Sequence, residues 1–307
     1  RIMPFQTLLN SFFEMNLFAK TMNQGHSTKV SQVGSLEEKS NVSGSFGHRT
    51  QTVHFGRFLS QIYLWTYYTV FPSLIKDLKS LKYGISRIFE DKALIQCFKR
   101  SKFDCKRDHL IVMGDVCDGY PDVKQCIDEL LKVKHCDLVI GNHDMWALDW
   151  ALRGDKPEIW TSQGGNRTMA SYNGGPMPKA HIDFLKNGQL WIERDEQVFV
   201  HGGFNPDISL SSHSAQKLVW DRELLDMAWK MQVDGRKCKL GRYKDIFVGH
   251  TTTELYNTLQ PIHVCNVWNI DTGAGWSGKL TIMDVDTKEY WQSDLTPDLY
   301  GGTPGRL

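Results

Sequence analysis

The stretch GDVCDGYPD at 114–122 sets the reading of this chain, together with GNHD at 141–144, VHGG at 200–203 and GHTTT at 249–253. Each stands at the end of a short apolar run: LIVM (110–113), LVI (138–140), VFV (198–200) and IFV (246–248). Runs of that length suit buried strands. Each run stops at a glycine paired with an acid, an amide or an imidazole. The donors are Asp115, Asn142 with His143 and Asp144, His201, and His250. In open α/β sheets, ligands bind in the crevice outside the carboxyl ends of the strands. The neighbouring Gly114, Gly141, Gly202 and Gly249 let backbone approach where no side chain would fit. Any one such donor is most often a strand-end cap or a satisfied histidine. The same pattern four times points to a shared metal site. Its oxygen and imidazole donors suit Mn, Fe or Zn rather than a thiolate-preferring metal.

Working outward, the pattern predicts helices over Lys92–Arg100 and from Pro121 onward, the latter with Val123, Ile127, Leu130 and Leu131 on its apolar face. Further helices are expected around Met145–Leu152 and Pro178–Asn187, and one long helix over Ser214–Met231. Leu190–Glu193 and Gln197–Val200 read as a hairpin, and Asp245–Val248, Val264–Ile270 and Leu280–Val285 as strands. This alternation predicts an α/β fold with mixed sheets.

The 307 residues carry 36 Lys+Arg against 35 Asp+Glu. That balance gives no global attraction to nucleic acid or to an acidic membrane. It is uneven, however. Residues 1–90 hold 10 basic and 5 acidic side chains, leaving 26 and 30 for residues 91–307. All 7 cysteines lie at Cys97 or beyond. Their odd number and the lack of any C-x-x-C argue against a disulfide framework and a Cys-type zinc site. Buried thiols in a reducing compartment, the cytoplasm, are the expectation.

The front differs in texture. Residues 21–57 are polar and predicted to be irregular, with His48 and His54 merely solvated, and 5–20 and 74–89 could form short helices. The apolar stretch Phe58–Ile75 is at the short end for a membrane span, and its hydroxyl residues, Pro72 and mid-stretch aromatics count against one. The expected division is a front segment of unrelated texture over 1–90 and a catalytic-type domain over 91–307.

Taken together, in order and spacing, the four blocks resemble those of calcineurin-like metallophosphoesterases. The branch they most resemble contains bacterial Ser/Thr protein phosphatases and symmetrical diadenosine-tetraphosphate hydrolases. The resemblance covers roughly 92–290. It implies a four-layer α-β-β-α sandwich around two divalent metals, Mn first, with Fe or Zn as alternatives. Asp115 would bridge the metals, with Asn142, His201 and His250 completing the second metal's ligands. His143 would be the general acid, or would stabilise charge on the phosphoryl group, and Asp118 would orient it. Asn142 and Arg222 (in Trp220-Asp221-Arg222, similar to the family's W-x-R) would contact the substrate phosphate. NIDTGAG at 269–275 resembles the last sheet segment, with Asp271 near the site or in a structural turn.

Three departures stand out. The family's opening D-x-H-G strand, which supplies the first metal's Asp and His, is not recognisable. Counting back from Lys92 puts those positions at Ser86 and Ile88, which cannot serve a hard cation in that role. The first strand is therefore expected to be missing. Gly119 stands where the family usually has Arg, and Thr252 where many members have a last His. Lack of that His is usual in the protein-phosphatase branch. Residues 1–90 could be a mis-joined front, a divergent extension over a degraded first site, or the source of compensating ligands among Glu90, Asp91 and the front histidines.

The resulting expectation is a hydrolase of bacterial or phage type. It would cleave phosphomonoesters on Ser/Thr of proteins, or dinucleoside polyphosphates, by metal-activated hydroxide. The alternative is an impaired pseudo-phosphatase that binds one metal and phosphate. Trp146, Trp150, Trp160 and Tyr172 read as core packing rather than a base-stacking surface, and the loop TSQGGNRT (161–168) as a rim of the substrate mouth.

Overall fold

A computed structural model describes residues 82–86, 91–235, 238–303 and 305–306. The expectations for 5–20, 21–57, His48, His54, Phe58–Ile75 and Glu90 lie outside the described residues. Among the described residues, no helix is long and apolar enough to cross a membrane.

The first strand is present. Lys82–Ser86 (KYGIS) forms β1, where a short helix had been expected over 74–89. β2 (His109–Val112) pairs with it in parallel, and β3 (His135–Leu138) extends the sheet. On its other side β1 pairs antiparallel with β9 (Thr281–Asp284), which pairs with β10 (Tyr290–Gln292). β1 is thus the central strand, and the sheet begins ahead of the expected boundary at 91. The run KYGIS is short and broken by Gly84, so it gives little apolar signal. Its place in the sheet comes from long-range pairing on both edges. β1 ends at Ser86, the residue reached by counting back, while Ile88, the second counted position, lies outside the described residues.

The second sheet has the order β4-β5-β6-β8-β7. β4 (Trp191–Arg194) and β5 (Gln197–Val200) form the expected hairpin, with a tight turn at Asp195-Glu196. β6 (Asp245–Val248) runs parallel to β5. The single strand expected over 264–270 is instead a hairpin, β7 (Ile262–Val264) and β8 (Val267–Asn269), because Cys265 at φ 56° reverses the chain.

Strand alternation sorts the side chains into layers. Ile111 and Met113 join Phe199, Phe247 and Met283 in a core between the sheets. Leu110 and Val112 face α1 (Asp91–Ser101) and α2 (Val123–Leu130) through Leu94, Cys97, Val123 and Ile127. Val198, Val200, Ile246 and Val248 pack with Leu224, Leu225 and Ala228. The result is helices, sheet, sheet, helices: the mixed four-layer sandwich expected.

Local differences have local causes. α2 starts at Val123 rather than at Pro121, and it buries Cys126 instead of Leu131, which is 44% exposed past the helix end. Asn142–Arg153 forms α3. The segment 161–165 is a wide turn leading into α4 (Asn166–Ser171), and α5 spans Lys179–Lys186. The long helix expected over 214–231 is broken into α6 (Ala215–Trp220) and α7 (Glu223–Val233). The break falls where Asp221 is extended (ψ 139°) and its carboxylate accepts the Glu223 N–H at 2.9 Å.

The cysteines also depart from expectation. Cys238 and Cys265 are joined by a disulfide, with their Cα atoms 5.1 Å apart, while Cys97, Cys117 and Cys126 are buried and Cys105 and Cys136 partly buried. The β7–β8 turn carries Cys265 to the segment after α7, a proximity that sequence spacing does not encode.

Candidate metal centre

The four predicted donor blocks converge at the carboxyl ends of β2, β5 and β6 and the start of α3. Gly114 leaves β2 at φ 81°, and a Cβ there would lie 2.6 Å from the Gly141 nitrogen and 2.7 Å from His201 Nδ1. A Cβ on Gly141 would overlap Asp115 Oδ1. Only glycine at both positions lets the two loops close on each other. Asp115 and His250 both adopt left-handed φ (54° and 61°), a conformation uncommon for side-chain-bearing residues and concentrated at functional sites.

Asp115, His201 and His250 each offer a ligand atom, all within 4.8 Å of one another and all buried. Asn142 Oδ1 lies 3.2 Å from His201 Nε2. The His201 Nδ1–H donates to the Met113 carbonyl at 2.7 Å, which leaves Nε2 facing Asp115 Oδ1 at 3.2 Å. Such a second hydrogen bond fixes the tautomer of a metal-ligating histidine. Two imidazoles, a carboxylate and an amide oxygen fit one borderline divalent cation. Asp115 Oδ2 points elsewhere: Arg306 Nη2 is 3.7 Å away. Asp91 is not in the donor group; it accepts a hydrogen bond from Tyr300 at 3.3 Å. The described residues therefore fit one cation and do not show the ligands of a second.

His143 stands beside this group at the second position of α3. Its Nδ1 is 2.6 Å from Asp118 Oδ2. The same carboxylate accepts Trp160 Nε1–H at 2.8 Å and the Thr168 hydroxyl at 2.5 Å. Burial pushes the Asp118 carboxyl upward, while Arg306 and the hydrogen bonds from Thr168 and Trp160 pull the other way, toward the carboxylate. Sequence reading placed Trp160 in the core and Thr168 in a rim loop, and did not foresee that both hydrogen-bond Asp118. The loop 161–168 was expected at the substrate mouth, but Thr168 at its end is fully buried beneath Asp118.

Asp144, the last residue of GNHD, also has an unforeseen role. Its carboxylate accepts N–H bonds from Asp115 (2.7 Å), Val116 (2.7 Å), Cys117 (3.1 Å) and Gly141 (2.9 Å). It ties the β2 loop to the start of α3, and the sequence held a physical signal for it: an acid in the first turn of a glycine-led helix.

Arg222 immediately precedes α7 and is exposed, in an open groove with Ser214, Lys217 and Trp220. The Trp220 ring packs edge-on against His250 (5.4 Å) and Trp146 (5.3 Å), and Trp146 packs against His143 (5.1 Å). The groove thus adjoins the candidate metal centre through an aromatic wall. Trp150, Trp160 and Tyr172 pack on one another as expected. Asp271 is buried and accepts the Gly273 N–H at 3.2 Å within a turn.

The profile of the calcineurin-like phosphoesterase family matches residues 85–286. The chain belongs to that family. Serine/threonine-protein phosphatase 1 of Salmonella typhimurium is 27% identical over 202 residues, 62% of this chain and 85% of that protein. The symmetrical bis(5'-nucleosyl)-tetraphosphatase of Nitrosomonas europaea is 27% identical over 135 residues, 44% of this chain and 47% of that protein. A crystal structure of a candidate diadenosine tetraphosphatase aligns with TM-score 0.52 at 14% identity, covering 69% of this chain and 91% of its own. That likeness establishes the shared fold. The family and these curated relatives are hydrolases, and the sequence resemblance is confirmed as a family membership.

Proposed function

We propose that this calcineurin-like phosphoesterase hydrolyses phosphomonoesters, on protein Ser/Thr or as small esters, or dinucleoside polyphosphates, with manganese as the preferred cation. The observation that carries this reading is the buried His143–Asp118 pair, 2.6 Å apart, set directly beside the Asp115, His201 and His250 donor group. Asp115, Asn142, His201 and His250 would hold the cation. When bound, such a cation polarises a phosphoryl oxygen and lowers the pKa of water, supplying a nucleophile at neutral pH.

The chain's own residues supply the rest. With Nδ1–H donated to Asp118, His143 is fixed in orientation and can carry a second proton on Nε2. From there it gives the proton to the leaving alkoxide. Arg222, with Lys217 in the same groove, is placed to receive substrate phosphate, and the planar guanidinium fork matches phosphate oxygens. The amide of Asn142 adds a donor beside the cluster. Support for a cytoplasmic location is weakened by the Cys238–Cys265 bridge, because disulfides persist mainly in oxidising compartments.

A second reading is favoured by the sequence, where counting back from Lys92 puts Ser86 and Ile88 at the positions of the family's first ligand pair: a fold that binds one metal and phosphate without turnover. Hydrolysis of p-nitrophenyl phosphate, a phosphothreonine peptide and diadenosine tetraphosphate with added Mn separates the two. Turnover that disappears in Asp115→Asn and His143→Ala supports the enzyme. Folded, Mn-loaded protein with no turnover on any of the three supports the pseudo-phosphatase instead.

A further inference from the structure

The two oxygens of Asp115 face different surroundings. Oδ1 lies toward the imidazoles, 3.2 Å from His201 Nε2, and accepts the His143 backbone N–H at 3.1 Å. Oδ2 lies toward Arg306, whose Nη2 is 3.7 Å away. Both side chains are 1% exposed or less.

Arg306 reaches this position from the far end of the sequence, and its route is well defined. The Gly305 and Arg306 N–H groups donate to the carbonyls of Trp276 and Gly275, each at 2.9 Å. The side chain then passes Gly164, where a Cβ would meet Arg306 Cγ at 3.6 Å. Its guanidinium carbon is 5.8 Å from the Trp276 ring centroid, and Nη2 also approaches the Cys117 carbonyl at 3.5 Å. A guanidinium is charged at every accessible pH. Buried charges are tolerated when paired, and here a buried carboxylate faces the guanidinium across its second oxygen. A divalent ion on Oδ2 would sit at a bond length of about 2 Å from that oxygen, within about 6 Å of this permanent positive charge.

We infer that Arg306 takes the place of a second metal ion, making this a mononuclear centre in which one divalent cation lies on the Oδ1 side of Asp115 and the guanidinium on the Oδ2 side. Arg306 acts through Asp115 and is a positioning residue: it holds the carboxylate's orientation and excludes a second cation. The inference rests on the metal-dependent reading above.

The test is a metal titration, independent of turnover. Full-length protein, stripped of metal, is titrated with MnCl2 by calorimetry and followed by electron paramagnetic resonance. The wild type is expected to bind one Mn per chain with the spectrum of an isolated ion. Arg306→Met and Arg306→Gln are expected to take up a second Mn with an exchange-coupled signal, or to bind the first at least tenfold more tightly, while Arg306→Lys keeps the wild-type behaviour. The backbone bonds of residue 306 survive all three changes, and the melting transition checks the fold. Two coupled Mn ions in the wild type would overturn the inference. So would Met and Gln variants with unchanged stoichiometry and affinity. A wild type that binds no Mn at all would defeat the metal-dependent reading itself, a result distinct from both.

Discussion

Asp118 Oδ2 lies 2.6 Å from His143 Nδ1 and accepts Trp160 Nε1–H at 2.8 Å on the same oxygen. The carboxylate is therefore held from one side by a buried indole and presented on the other to the imidazole. Replacing it by Asn keeps an oxygen for Trp160 but offers His143 an amide that no longer favours the Nδ1–H tautomer or the imidazolium. Asp118→Asn should lower kcat by about 10²–10⁴-fold, the usual worth of a positioned general acid, with KM nearly unchanged. Steady-state kinetics with p-nitrophenyl phosphate checks this. A KM change with normal kcat would place Asp118 in binding instead.

Four backbone N–H groups converge on the Asp144 carboxylate. Asp144→Ala leaves them buried without that acceptor, which should cost about 3 kcal/mol or more, since each orphaned buried donor carries its own desolvation penalty. The loop bearing Asp115 should loosen with it. Urea unfolding gives the stability change, and Mn titration should show weakened binding. Unchanged stability would mean water or repacking replaces the carboxylate.

The bridge between Cys238 and Cys265 closes a segment with a sequence separation of 27. In the chain-entropy account a loop of that size contributes about 3–4 kcal/mol by restricting the unfolded chain. Thermal unfolding with and without reductant should show this difference, and Cys238→Ser should match the reduced wild type. Equal transitions in oxidised and reduced protein would show that the pair contributes nothing.

His109, His181 and His263 all have their pKa values lowered, in each case first by burial. A depressed folded-state pKa means that the unfolded chain binds protons more readily. Near pH 7 all three are neutral in both states, so their contribution is fully present. As pH falls below the ordinary histidine value of about 6.5 the unfolded state gains protons first, and stability drops until the folded pKa values are passed. Urea midpoints should therefore decline steadily from pH 7.5 to 5.5. A flat profile over that range would contradict the burial of these rings.

Much of the fold was legible because its signals are short-range. The period of β2 sorts Leu110 and Val112 from Ile111 and Met113, and the helix over 91–101 follows from its apolar spacing. The β4–β5 turn was readable from three polar residues between two apolar runs. Ser214–Met231 misled because its apolar period continues through Asp221, whose extended backbone and bond to the Glu223 N–H break the helix. KYGIS misled in the other direction: its strand is held by partners far along the chain, His109–Val112 and Thr281–Asp284.

By itself the sequence determined the strand–glycine–donor pattern, hence the family, the sandwich and the candidate set Asp115, Asn142, His143, His201 and His250. Each of those signals is contained in a few adjacent residues, where pleat alternation and glycine's freedom at φ above zero act directly. Only the tertiary structure decided that Trp160 and Thr168 flank Asp118, that Cys265 meets Cys238, and that Arg306 comes within 3.7 Å of Asp115. Those neighbours are separated by tens to nearly two hundred positions. Their meeting depends on how two sheets and their helices pack, and no local rule carries that information.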